Sequence, residues 1–216
     1  MKTVDILIIG QGIAGTCLAF TCLKNSISFL IIDDNQKQSA TQAAAGIIDP
    51  LGSKWFTKPY KRDEFLPKAI HFYKELETKL NTSILTKLNC QRIISMERDL
   101  PLYEKRKKNH LKFIDNDSLT ALPFLKTKAK KIINYSPGYR IDTPLLLEKS
   151  KHYFSKNNLL INEQFKYHKL KKTNQLSYYD INPKNIVFCE GKGIQKNPLF
   201  KDKIHQYIKG QFIHIQ

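Results

Sequence analysis

The sequence has no long apolar segment. No stretch approaches the ~20 consecutive apolar residues that a membrane-spanning helix needs, and the mean hydropathy is −0.42. The apolar run near the N-terminus is short, is interrupted by Asp5 and leads directly into a glycine turn, which is not the pattern of a cleavable signal peptide. We therefore expect a cytoplasmic protein without a membrane span.

Cysteine is scarce as well. The four cysteines, at positions 17, 22, 90 and 189, form no C-x-x-C pair and have no spacing typical of metal ligands. The six histidines are scattered in the same way, so we predict no metal site. Small, buried, reduced thiols are consistent with a cytoplasmic compartment.

Acidic residues are few relative to basic ones. The chain has 19 Asp and Glu against 36 Lys and Arg, which gives a formal net charge of +17. Such a balance is found in proteins that meet nucleic acid, membrane surfaces or acidic substrates. Only five of the basic residues are arginine, the residue that specific nucleic-acid sites use for bidentate contacts. The lysine excess thus favours solvated faces, and an RNA-linked function is kept as an alternative.

A glycine turn between a strand and a helix is the most informative feature present. Val4–Ile9 is a short apolar run rich in β-branched residues, as in a buried parallel strand. Gly10, Gly12 and Gly15 follow as G-x-G-x-x-G: the first allows a tight turn, the second lets backbone approach a pyrophosphate, and the third lets the helix pack on the strand. The helix that begins near Gly12 directs N–H groups and the positive end of its dipole at phosphates.

A second apolar strand, Phe29–Ile32, follows the helix and ends at Asp33. In dinucleotide-binding βαβ units an acid about 20 residues beyond the turn hydrogen-bonds a ribose 2′-hydroxyl. No arginine directly follows Asp33, which disfavours a 2′-phosphate. A bare glycine pattern is a weak signal, but here strand, turn, helix, second strand and acid occur together, and they predict a site for FAD or NAD.

Helical and strand patterns alternate along the rest of the chain. Apolar residues at helical spacing predict helices over 63–80 and 143–155, with Thr143 as N-cap and Pro144 at the first position of the second helix. Other segments are predicted from short apolar runs and turn residues: strands over 84–88, 90–96, 131–135, 159–165, 185–189 and 211–216, a turn at 136–138, a hairpin within 166–179, and helical segments over 99–109 and within 118–124.

Four segments together resemble the FAD-dependent oxidoreductases of the D-amino-acid oxidase and sarcosine/glycine oxidase type. They are Val4–Asp33, the small-residue stretch Ala43–Pro50, the helix entry Tyr139–Thr143 and the strand end Ile186–Gly191. The resemblance implies FAD as cofactor, a small-residue stretch beside the flavin, a strand over 159–165 that leads to the adenine side, and a strand end that closes over the cofactor. The cofactor-binding residues it implies are Gly10, Gly12, Ile13, Ala14, Gly15, Asp33, Asp34, Ala44, Ala45, Gly46, Ile47, Phe165, Cys189, Glu190 and Gly191.

The same resemblance implies an α/β fold of two interleaved domains. A Rossmann-type FAD-binding domain would comprise residues 1–80 and 142–200, and a β-sheet-rich substrate domain would comprise residues 81–141 and 201–216. Members of the family continue for roughly a hundred or more further residues. We therefore expect the substrate domain to be truncated and the chain to be an N-terminal portion.

The activity implied is oxidation of an amine or amino acid by hydride transfer to flavin N5. We assign no catalytic residue: Lys54 and Trp55 are candidates to face the flavin and Arg140 to bind a substrate carboxylate, although a structural role is the simpler explanation for each. One alternative is an FAD-dependent enzyme of the tRNA-modification type, because Gly46–Pro50 is similar to a segment of the FAD domain of the bifunctional enzyme that modifies tRNA wobble uridines. The other is a truncated flavin-binding remnant without activity.

Overall fold

The predicted βαβ unit is present at the N-terminus. Strands β1 (Lys2–Ile9) and β2 (Phe29–Asp33) are parallel neighbours, and helix α1 (Ile13–Lys24) connects them. The computed structural model describes residues 1–35, 39–52, 55–115, 129–173, 175–200 and 203.

The chain forms two units that differ from the predicted domains. The first comprises Met1–Ala45 and Thr143–Gln216, and the second comprises Gly46–Asp142. Residues 46–80, which the sequence analysis assigns to the cofactor domain, therefore lie in the second unit. The polypeptide leaves the first unit after Ala45 and returns to it at Thr143.

A six-stranded sheet is the centre of the first unit. Its other strands are β6 (Leu160–Asn162), β7 (Leu170–Lys172), β8 (Leu176–Tyr178) and β9 (Ile181–Phe188). The order is β6-β2-β1-β9-β8-β7. The first four strands of this order are parallel, and the last two add an antiparallel edge. The carboxyl ends of β1, β2 and β9 thus meet at one edge of the sheet, where ligands bind in open α/β sheets.

The parallel strands are rich in apolar side chains because both faces of such strands are buried. The segment Phe29–Ile32 of β2 is buried throughout. Helix α4 (Thr143–Lys156) begins at the predicted residue. Its Phe154 is fully buried and contacts Phe20 of α1, with ring centroids 4.8 Å apart, and Phe29 of β2 at 6.1 Å.

The second unit contains a three-stranded antiparallel sheet. Strand β5 (Lys131–Ile141) lies between β3 (Ile47–Ile48) and β4 (Leu85–Ile94). The unit also contains helices α2 (Arg62–Leu80) and α3 (Leu100–Arg106), which follow the predicted helical segments closely.

The predicted bounds were wrong in three places. The segments 84–88 and 90–96 form the single strand β4. The turn expected at 136–138 lies inside β5 at a bulge: the register with β4 shifts by one residue between the pairs Gly138–Leu88 and Tyr135–Cys90. The strand expected over 159–165 is only three residues long, and it pairs with the last three residues of β2.

Some predictions lie outside the described residues: Lys54, the helical segment at 118–124, the strand at 211–216 and, apart from Lys203, the substrate-domain segment 201–216. Among the helices of the described segments, none combines the length and apolar character that crossing a membrane requires.

Candidate functional site

Two glycines of the turn are required by the backbone of the protein itself. Gly10 has φ +100°, and a Cβ there would lie 2.5 Å from the carbonyl oxygen of Cys189. A Cβ at Gly15 would lie 1.9 Å from the carbonyl oxygen of Gly10. A side chain at position 10 would push the turn away from the end of β9, and one at position 15 would push α1 away from the turn. Close packing of strand, turn and helix therefore requires glycine at both positions.

Gly12 has a different environment from the other two. Its φ of −69° is one that any residue adopts, and within the described segments a Cβ there would approach only Thr41 Oγ1, at 3.3 Å. Packing therefore constrains position 12 less than positions 10 and 15, because the described neighbour is a single side-chain hydroxyl. The missing side chain leaves the backbone accessible to a ligand, as the approach of a pyrophosphate requires.

The first turn of α1 offers backbone donors to an anion. Ile13 N–H donates to Thr41 Oγ1 at 3.0 Å. The next N–H groups, those of Ala14 and Gly15, have no acceptor within the helix because the first turn of any α-helix lacks one. No acidic residue occupies this turn. The donors and the positive dipole end are thus arranged to hold a phosphate group.

Thr41 was not among the predicted site residues. It lies 28 positions from Ile13 in sequence, and its side chain is buried. The run of small residues that contains Thr41 indicates only a lack of bulk, and a lone threonine in such a run gives no signal that its hydroxyl bonds the first turn of a distant helix.

Asp33 holds the glycine turn directly. Its Oδ2 accepts a hydrogen bond from Gln11 N–H at 2.7 Å, and its Oδ1 accepts one from Asn35 N–H at 2.8 Å. The side chain is partly exposed, and each carboxylate oxygen has a further lone pair. The carboxylate can therefore hold the turn and still accept a hydrogen bond from a ligand hydroxyl group. Asp34, also predicted, is exposed next to it.

The strand end at Cys189, Glu190 and Gly191 lies against the turn. Cys189 N–H donates to the carbonyl of Ile9 at 2.7 Å, and burial raises the pKa of the Cys189 thiol. Glu190 is held at both oxygens, since Tyr167 Oη donates to Oε1 and Asn197 Nδ2 donates to Oε2 at 2.7 Å.

This carboxylate has a structural role. Asn197 is fully buried, and burial together with the neighbouring Glu190 raises the pKa of the Tyr167 phenol. The side chain of Glu190 thus fastens the segment Gly191–Lys196 to the body of the unit. Gly191 has φ +54°, and a Cβ there would meet no described atom within 4 Å.

The structure places Phe165 in the core of the first unit. Its ring is 7% exposed and stacks on Tyr178 with centroids 4.5 Å apart. Tyr167 and Phe188 contact its edges at 5.4 and 5.8 Å. These contacts account for the aromatic side chain without any ligand.

The remaining predicted residues are divided between the units. Ala44 and Ala45 end the first segment of the first unit, and the Ala44 carbonyl accepts a hydrogen bond from Thr143 Oγ1 at 3.4 Å. Gly46 and Ile47 belong to the second unit. Gly46 has φ +71°, and a Cβ there would lie 2.0 Å from the carbonyl oxygen of Ile141.

Two of the candidate catalytic residues are exposed in the second unit. Arg140 lies on β5, where it faces Ile47 on one side and Thr86 on the other. The side chain of Trp55 is 49% exposed, and its carbonyl accepts a hydrogen bond from Arg106 at 2.7 Å.

The first unit fits the pyrophosphate and ribose of FAD. Gly12 opens the backbone, Ala14 and Gly15 supply N–H donors, and Asp33 supplies an acceptor. In addition, Gln11 Nε2 is buried in this turn and has no hydrogen-bond partner among the described residues. A buried donor without a partner is expected where a ligand supplies the acceptor.

Comparison with known proteins leads to the same cofactor. Residues 5–65 match the family described as FAD binding domain. Glycine oxidase from Geobacillus kaustophilus has a similar structure, with a TM-score of 0.67 and 15% sequence identity; the match covers 88% of this chain and 55% of that one. Iminodiacetate oxidase from Chelativorans sp. BNC1 matches with a TM-score of 0.65 and 20% identity, over 89% of this chain and 56% of that one.

A third similar structure contains the cofactor. L-alpha-glycerophosphate oxidase from Mycoplasma pneumoniae, with FAD bound, has a TM-score of 0.59 and 15% identity, over 86% of this chain and 53% of that one. The chain spans about half the length of the structures it matches. The resemblance found in the sequence is thus confirmed: residues 5–65 match the FAD binding domain family, and the chain has the fold of the matched half of these oxidases.

Proposed function

We propose that this protein is a flavin oxidoreductase that oxidises a small amine or amino acid. The observation that carries the proposal is the glycine turn, in which Gly12 is less constrained by packing than Gly10 and Gly15 and leaves the backbone accessible beside the N-terminus of α1. The names of the similar structures, glycine oxidase and iminodiacetate oxidase, support an amine that carries a carboxylate.

The residues of the first unit would hold the cofactor. The N–H groups of Ala14 and Gly15 would bind the pyrophosphate, and Asp33 would accept a ribose hydroxyl while it keeps the turn in place. When bound, FAD would supply the two-electron acceptor for the hydride of the substrate. The first unit is accordingly the FAD-binding domain, and the second unit is part of the substrate domain.

Two measurements on the purified chain test this function. The first is its visible absorption spectrum and an FAD titration followed by flavin fluorescence, and we expect flavin bands or saturable binding of added FAD. The second is anaerobic mixing of the FAD-loaded chain with glycine, iminodiacetate and other small amines, and we expect one of them to bleach the flavin. A folded chain that takes up no FAD would contradict the proposal. FAD binding without bleaching by any amine would instead support the inactive remnant.

The RNA-linked alternative depends on the net charge of +17. An RNA-binding protein that neutralises several phosphates loses affinity steeply as salt rises, because counterions are released on binding. Titration of the chain with tRNA at several salt concentrations tests this alternative. Tight binding with a steep salt slope would favour it, and weak binding to any polyanion would leave the amine oxidase.

A further inference from the structure

The buried amide of Gln11 lacks a partner, although the backbone of the same residue is hydrogen-bonded at both its N–H and its carbonyl group. Gln11 N–H donates to Asp33 Oδ2 at 2.7 Å, and the Gln11 carbonyl accepts from Thr16 Oγ1 at 3.5 Å. The residue is 7% exposed, yet Nε2 has no hydrogen-bond partner among the described residues.

Such a donor needs an explanation because it destabilises the folded state. Buried polar groups in proteins are nearly always paired, and one without a partner loses its hydration and gains nothing in return. Methionine has a similar length and volume, so an apolar residue would fill most of the position without this loss. The amide is therefore kept at the expense of stability, as is common where a residue serves a ligand.

We propose that Gln11 Nε2 is a cofactor-binding donor that hydrogen-bonds a pyrophosphate oxygen of FAD, an inference that rests on the function proposed above. Gln11 stands between Gly10 and Gly12, next to the open backbone and the N–H groups of the first turn of α1. A glycine turn of this kind binds an anionic group that is rich in hydrogen-bond acceptors. A pyrophosphate bound there would lie next to Gln11, whose amide has a donor without an acceptor among the described residues.

The hydroxyl of Ser150 serves as a control for the buried amide of Gln11. Ser150 Oγ, in the middle of α4, is also buried and without a partner among the described residues. It belongs to the same unit but not to the glycine turn. If a missing partner reflects packing alone, replacing either residue by an apolar one should have the same consequences.

The experiment measures the dissociation constants of FAD and of ADP, and the melting temperature of the ligand-free chain, for wild type, Gln11→Met and Ser150→Ala. We expect Gln11→Met to bind both ligands about 10- to 100-fold more weakly, as for the loss of one hydrogen bond to a charged group. Its melting temperature should stay equal or rise. Ser150→Ala should keep both affinities and should also melt no lower than wild type.

Each other outcome overturns the inference. Equal affinities of wild type and Gln11→Met would show that a buried water or packing satisfies the amide, while the proposed function stands. Weaker FAD binding with unchanged ADP binding would move the contact away from the pyrophosphate. No FAD binding by the wild-type chain would overturn the proposed function as well. If Gln11→Met does not fold, Gln11→Leu serves in its place, because it also removes the donor and adds no charge that would itself repel the pyrophosphate, and its affinities are expected to fall as far.

Discussion

Arg62 donates a hydrogen bond from Nη1 to Nδ1 of His110, at 2.9 Å, in the interior of the second unit. A guanidinium can only donate, so His110 Nδ1 must be unprotonated. The ring then carries its proton on Nε2, which donates to the Phe56 carbonyl at 2.9 Å. Arg62 also donates to the carbonyls of Pro50 and Asn109, at 3.0 and 2.8 Å. The pair thus connects three chain segments and holds His110 neutral.

Acidification should destabilise this pair. Burial, together with the charges of Arg62 and Arg92, lowers the pKa of His110 below its usual value of 6.5. Below about pH 6.5 the unfolded chain therefore takes up a proton that the folded chain does not. The free energy of unfolding should fall as the pH falls from 6.5 towards 5, by at most about 1.4 kcal/mol per pH unit from this group.

The variant His110→Gln separates this titration from the others. Glutamine also offers one acceptor and one donor, but it does not titrate, so urea unfolding between pH 7.5 and 5 should show a flatter dependence than wild type. At pH 7.5 we expect a loss of about 1 kcal/mol from imperfect geometry. His71→Gln, at an exposed histidine, is the control and should keep the wild-type slope. An equally steep slope in His110→Gln would exclude His110 as the titrating group.

The glycines of the turn should respond differently to alanine. At Gly15 the new Cβ would lie 1.9 Å from a backbone oxygen, and the gain in helix propensity of about 1 kcal/mol cannot offset that overlap. We expect Gly15→Ala to lose at least about 2 kcal/mol of stability. At Gly12 the Cβ would press only on the end of the Thr41 side chain, at 3.3 Å, and alanine is a poorer N-cap than glycine, so we expect a smaller loss, of about 1 kcal/mol or less.

Cofactor binding should reverse this order of tolerance. Gly12→Ala is expected to fold normally and to weaken FAD binding by about 100-fold, which equals about 2.7 kcal/mol, because the methyl group occupies the approach to the backbone. Chemical denaturation and FAD titration of the same preparation measure both effects. Normal FAD affinity in a folded Gly12→Ala chain would show that the pyrophosphate does not bind against the backbone of Gly12.

The sequence predicts the βαβ unit well because its signals are local. The apolar run Val4–Ile9, the glycine spacing and the acid after β2 all act within one connected segment, and each has a steric or electrostatic meaning by itself. The helix that begins at Thr143 is local in the same sense, since Thr143 and Pro144 favour a helix start whatever lies around them.

The features that the sequence does not reveal depend on distant partners. Ser136–Gly138 has the composition of a turn but lies at a bulge within β5, because β4 pairs with the strand on both sides of it, at Tyr135 and Gly138. Thr41 caps a helix 28 positions away, and the two bonds of Glu190 come from Tyr167 and Asn197. The residue pattern within one segment does not indicate which distant residues will contact it. Tertiary contacts can therefore override the local preference.

Phe165 should affect stability without affecting the cofactor. Its stacking on Tyr178 and its edge contacts with Tyr167 and Phe188 place it in the apolar core. We expect Phe165→Leu to lose about 1–2 kcal/mol and to keep the FAD dissociation constant within about two-fold when only folded protein is counted. A ten-fold weaker FAD affinity at equal folded fraction would restore the cofactor role that the sequence implied.

Asp33 should be sensitive even to the smallest change. Its two oxygens accept from the N–H groups of Gln11 and Asn35, whereas an asparagine has one oxygen and would direct an NH2 group at one of these donors. The lost bond and the donor left without an acceptor should together reduce stability by about 1–3 kcal/mol.

The effect on the cofactor should exceed the effect on stability, because Asp33→Asn both loosens the turn that carries Gly12 and weakens the acceptor for the ribose. We expect FAD affinity to fall at least about 10-fold, which equals 1.4 kcal/mol, measured by FAD titration at a temperature where the variant is fully folded. Asp180→Asn, at an exposed aspartate after β8, is the matched control and should bind FAD normally. If Asp33→Asn is destabilised but binds FAD as tightly as wild type, Asp33 only supports the turn, and the ribose must be held by another group.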